Sequence, residues 1–136
     1  MNIAESTRVS APKAAQSWLT KFSTALEAQD AHAAADLFLA DGLWRDVLAF
    51  TWTIETMSGQ PAIETVLGQT LARAKPVKFH IPPKRTPPRR VSRAGTQSIE
   101  VIFEFETALG PCNGVVRLVP DPQTPSRLRA WTLLTT

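Results

Sequence analysis

The sequence has no tyrosine, a single cysteine and two histidines. With Cys112 alone, no intramolecular disulfide can form, which excludes a cysteine-stapled secreted scaffold. No His-x-x-x-His pair and no Cys/His cluster occurs, so no metal site is expected. No Gly-x-Gly-x-x-Gly occurs either, so FAD or NAD has no phosphate cradle at a helix N-terminus and no cofactor is expected. No apolar run approaches the roughly 20 residues of a membrane span. Residues 1–13 lack the continuous apolar core of a secretory signal. The expectation is a cytoplasmic protein with no membrane partner.

What is present fits one domain. The chain has 136 residues, 43% of them hydrophobic and 20% charged, enough for a core without staples. The net charge of +3 suggests nucleic acid until its location is considered. Seven of the 15 basic residues fall within 75–93, where no acid occurs. The remainder carries eight basic against twelve acidic residues. The same stretch holds five prolines, which remove backbone donors and exclude a helix or a central strand. Residues 82–93 are therefore expected as an exposed loop or irregular edge. Aromatic residues are missing from that stretch beyond Phe79, so bases have no stacking platform and no nucleic-acid partner is expected.

Periodicity gives the elements. Residues 1–11 are polar and aperiodic, a frayed tail, and 12–136 form the domain. Trp18, Phe22, Ala25 and Leu26 make one stripe of an amphipathic helix. Asp30 can cap a second helix over 31–39, ended by Asp41-Gly42. Residues 43–55 are large or β-branched and predict a strand, bent near Leu48. Ser58-Gly59-Gln60-Pro61 opens a third helix, which must stop before Pro76. Strands follow over 98–107, 113–119 and 128–135. In the first, Ile99, Val101, Phe103 and Phe105 share one face, and Glu100, Glu104 and Glu106 the other. Helices first and strands later predict an α+β fold: three helices of the N-terminal half packed on a mostly antiparallel sheet.

That order resembles the nuclear-transport-factor-2-like superfamily, which includes SnoaL-like and ketosteroid-isomerase-like proteins. The resemblance is carried by Trp44-Arg45-Asp46-Val47-Leu48-Ala49-Phe50-Thr51-Trp52, by Phe103-Glu104-Phe105-Glu106-Thr107 leading into Gly114 to Val119, and by Arg129-Ala130-Trp131 with the residues to Thr136. Within the superfamily these motifs are similar to the N-terminal cone domain of flavin-containing monooxygenases. The resemblance implies a strongly curved sheet around the first helix, an apolar pocket, and a homodimer through the outer sheet face. Ile102, Val115, Leu133 and Trp131 suit such a covered face. It also implies that the chain is either free-standing or the separated first domain of a flavoprotein.

Two roles are open to Asp46. Strand alternation puts it on the face of Trp44, where a carboxylate among aromatics can act as a general base. Ketosteroid isomerase uses an aspartate in a similar place, with a tyrosine and a protonated aspartate as oxyanion hole. This chain has no tyrosine, Phe22 falls at the matching helix position, and the strand over 113–119 holds no acid. Alternatively, Asp46 is a strand-end carboxylate paired with an arginine or a backbone N–H. His80 is the second candidate catalytic residue if its strand turns it inward; the surface is the alternative. Cys112 is expected as a small buried thiol. The expected pocket lining is Trp18, Phe22, Trp44, Phe50, Trp52, Phe103, Phe105 and Trp131.

Three functions follow. The first is a small-molecule-binding cone domain, not catalytic alone. The second is a cofactor-free isomerase, dehydratase or cyclase using Asp46. The third is a dimeric interaction module whose cone is filled by its own aromatics.

Overall fold

The computed structural model describes residues 10–136. Helix α1 (Ala11–Glu27) begins where Ser10 Oγ accepts from Lys13 N–H at 3.4 Å, with Pro12 in the first turn. Its buried stripe is Ala14, Ala15, Trp18, Leu19, Phe22, Ala25 and Leu26, as the spacing predicts. The frayed tail expected over 1–11 lies mostly outside the described residues, but Ser10 and Ala11 belong to this helix start. Asp30 caps α2 (Ala31–Ala35), accepting from Ala33 N–H at 3.0 Å.

The second helix is shorter than expected. From Phe38 the chain is strand β1 (Phe38–Val47), because Phe38 pairs with Ala130 of the last strand. Pairing with a distant strand overrides the local helical pattern. Asp41-Gly42 therefore lies inside β1, at a register shift between Phe38 and Leu43. The expected bent strand over 43–55 is two strands, β1 and β2 (Ile54–Ser58), joined by a loop over 48–53. Helix α3 (Gln60–Ala74) starts and stops as predicted, with Lys75 left-handed at its end, just before Pro76.

Part of the segment over 82–93, expected as an exposed loop or irregular edge, is an edge strand, and another short strand lies just before the segment. β3 (Val77–His80) and β4 (Arg89–Arg93) both pair antiparallel with β5 (Thr96–Thr107). Short, proline-flanked and charged strands are what a sheet edge tolerates. Side chains of β3 and of the loop after it meet the glutamates of β5: Lys78 with Glu106 at 3.2 Å, and the His80 ring and Arg85 with Glu104 at 3.1 and 3.4 Å. β6 (Gly110–Pro120) and β7 (Leu128–Thr135) complete one sheet ordered β2-β1-β7-β6-β5-β3, with β4 also on β5. The β1–β7 pair is parallel and the others are antiparallel. Three helices on this sheet make the fold α+β, as predicted. No described helix is long and apolar enough to cross a membrane.

Candidate functional site

Asp46 lies in the inner row Asp46–Thr135–Gly114–Phe103, set by the pairing of β1, β7, β6 and β5. Its side chain is wholly buried. Phe50 N–H reaches both carboxylate oxygens at 3.0 and 3.1 Å. Thr51 donates to Oδ2 twice, from N–H and from Oγ1, at 2.8 Å each. Thr135 Oγ1 donates to Oδ1 at 2.5 Å, and itself accepts from Trp44 Nε1 at 2.9 Å. Four donors thus surround a carboxylate with about four lone-pair sites.

The loop they hold is strained. Leu48 (φ 68°) and Trp52 (φ 62°) are left-handed, which costs a bulky side chain on the order of 1–3 kcal/mol. Arg73 of α3 adds a second tie, donating to Thr51 O at 2.9 Å with its guanidinium 4.6 Å from the Trp52 ring centre. So Asp46 fixes the exit of β1, and Trp52 lies on the surface beneath Arg73 rather than in the cone interior.

Rings cross the concave side of the sheet. Trp44 meets Phe50 edge-on at 5.2 Å, Phe50 meets Phe105 at 5.7 Å, and Phe105 stacks on Phe79 at 4.9 Å. Phe79 meets Phe22 at 6.0 Å, and Phe22 stacks on Trp18 at 4.7 Å. Phe103 packs beside Phe79 and Phe105. Six of the eight expected lining residues are therefore brought together, with Phe79 and Phe38 among them. Phe79 was legible only as an aromatic in a proline-rich stretch; its inward turn depends on β3 pairing with β5. Trp131 is half-buried at the irregularity between β6 and β7, away from this ring chain.

His80 is not brought to Asp46. Its side chain is 55% exposed and faces Glu104. His32 pairs with Glu64 at 2.8 Å on the surface, a contact that raises its pKa above the ordinary histidine value. Among the described residues, no group of three or more His, Cys, Asp or Glu gathers as metal ligands.

Beyond the Asp46 loop lies a depression of about 350 Å³. Val47, Leu48 and Ala49 form one wall, and Leu109, Gly110 and Pro111 of the β5–β6 turn another; Thr107, Cys112 and Thr136 complete it. Leu48 and Leu109 are 56% and 66% exposed there. Cys112 is buried, and burial pushes its thiol pKa up.

No family model and no curated protein sequence matches this chain. Solved structures do resemble it. Aln2 from a Streptomyces species is 17% identical with a TM-score of 0.64, covering 94% of this chain and 93% of its own. A Catenulispora acidiphila protein solved in complex with S-DNPA is 16% identical with a TM-score of 0.60, covering 90% of each chain. An NTF2-like protein with a cystatin-like fold from Novosphingobium aromaticivorans is 14% identical with a TM-score of 0.60, covering 92% of this chain and 80% of its own. At such identities the likeness is one of fold. The helices on a curved sheet, and their match to these structures, give this chain the NTF2-like, cystatin-like α+β fold.

Proposed function

We propose that this chain is a small-molecule-binding cone domain whose ligand seats in the depression beside Leu48, Leu109 and Cys112. The observation that carries it is the depression itself. Its volume falls within the range of small-ligand sites, and its walls are mostly apolar with a thiol and two threonines as polar points. The strained loop supports the same reading, since backbone strain concentrates where a site is shaped. The Catenulispora neighbour, solved in complex with S-DNPA, supports a ligand-binding reading. No reaction step is assigned to Asp46 or His80. The narrower kinship with the N-terminal domain of flavin-containing monooxygenases rests on the sequence motifs, and a flavoprotein reading frame directly downstream would support it.

The test is a titration with an uncharged apolar fluorescent probe such as N-phenyl-1-naphthylamine, followed by amide chemical shifts. Shifts at Leu48, Ala49, Leu109, Gly110 and Cys112 are expected, and Leu109→Arg should weaken binding roughly tenfold. Binding without shifts at these residues, or unchanged by Leu109→Arg, removes the reading.

A second observation favours a homodimer. On the outer sheet face Ile102, Val115 and Leu134 stand in one row, next to Arg45, with Leu43 beside it, whereas Leu133, expected on this face, is in the core because it pairs with the inward Trp44 and Val116. Leu43 and Leu134 are exposed. A second copy laid on this face would cover them. Together with the ring-filled interior, this supports an interaction module. Sedimentation should give a dimer for the native chain and a monomer for Leu134→Arg; a monomeric native chain excludes it.

A further inference from the structure

Glu100 stands on the outer face of β5 with three guanidiniums around it. Arg117 of β6 donates from Nε to Oε2 at 3.2 Å. Arg89 Nη2 lies 3.5 Å from Oε1, and Arg93 Nη2 lies 4.0 Å from Oε2, both from β4. Three positive charges face one negative charge, so the cluster carries a local excess of two. Each guanidinium has five donors, and one carboxylate cannot engage all of them. Arg89 and Arg93 accordingly stand off at ion-pair distance.

A second feature sits in the same place. Ser98 is two residues before Glu100 and so projects from the same face of β5. It pairs with Val91, midway between Arg89 and Arg93 on β4. Ser98 is 4% exposed, and its Oγ has no hydrogen-bond partner among the described residues. Buried hydroxyls are nearly always bonded, so one flanked by two incompletely engaged arginines marks a place built for a further polar group.

We propose that Arg89, Arg93, Arg117 and Ser98 form a binding site for a phosphate group, free or as a small monoester. A phosphate carries close to two negative charges at neutral pH, which matches the local excess. Its oxygens suit the planar guanidinium fork, and Ser98 Oγ–H can donate to one of them. Glu100 is the resident counter-ion that keeps the arginines gathered when phosphate is absent. The site lies on the β4–β5–β6 side of the sheet, apart from the depression beside Leu48.

Titration with inorganic phosphate at low ionic strength, read by amide shifts and calorimetry, tests this. Saturable shifts over 89–100 are expected, with chloride at equal ionic strength giving none. Arg93→Gln should weaken binding roughly tenfold, and Ser98→Ala roughly fivefold. Glu100→Gln removes the competing carboxylate and should tighten binding roughly tenfold. A misfolded variant cannot mimic that gain. If phosphate gives no saturable shift, or if affinity is indifferent to Glu100→Gln and Arg93→Gln, the arginines serve only to neutralise Glu100 and the proposal fails.

Discussion

Phe103 lies over Gly114, its partner across β5 and β6, so closely that a methyl group at 114 would fall 2.1 Å from ring atom Cζ. The glycine makes room for the ring, and the ring fills the space that the glycine leaves. Gly114→Ala should destabilise the fold by about 3 kcal/mol, the upper end of ordinary overpacking. In the Phe103→Leu background the same change should cost much less. Denaturant unfolding of the two singles and the double measures the coupling, and additive effects would disprove the contact's role.

The Asp46 clamp predicts a graded series. Asp46→Asn turns an acceptor into a partial donor among four donors, and should cost about 3 kcal/mol. Thr135→Val removes one of those donors and the acceptor of Trp44 Nε1, and should cost about 2 kcal/mol. Chemical unfolding checks both. Hydrogen exchange at Phe50 and Thr51 should accelerate most in Asp46→Asn. Exchange as slow as in the native chain would show that the loop is held by something else.

Cys112 should react slowly. Burial raises its thiol pKa, so little thiolate is present at neutral pH. Alkylation by iodoacetamide should be far slower than in the urea-unfolded chain, and slower again when a ligand occupies the depression that Cys112 helps to line. Rapid labelling of the folded chain would contradict the burial.

Asp121 supplies an acid-side dependence. Gln123 N–H donates to its carboxylate at 2.9 Å and Arg129 Nε at 2.5 Å, and both hold its pKa below the ordinary carboxylate value. A carboxyl depressed in the folded state adds stability above its unfolded pKa. That stability is lost as pH falls through the folded pKa. Asp121→Asn should therefore be less stable than the native chain near neutral pH, and the two should converge in acid. Urea midpoints across a pH series give the comparison; parallel curves would show that Asp121 is not linked to folding.

Much of the fold was legible because its signals are local. α3 announces itself through Ser58-Gly59-Gln60-Pro61 and stops before Pro76. The inward face of β5 follows from simple alternation. The start of β1 was hidden, since residues 38 and 39 fall within the helical pattern expected over 31–39, which pairing with β7 overrides. β3 and β4 were hidden by their prolines, which bar a central strand but not an edge. In the candidate site, Asp46 was identifiable as a carboxylate on the face of Trp44, with backbone N–H pairing as one of its two readings. Thr135, 89 positions away, carried no signal of its role.

The sequence by itself determined the fold class, one cysteine without a partner, and a basic segment unfit for a helix. These are matters of composition and short-range geometry. Tertiary structure decided what the charges and polar groups do. Parallel pairing of β1 with β7 sets Thr135 between Asp46 and the Trp44 indole, and antiparallel pairing of β4 with β5 sets two arginines on Glu100. The reason is the same in both cases. A side chain's role depends on which partner is within about 3 Å, and strand register, a long-range property, selects that partner.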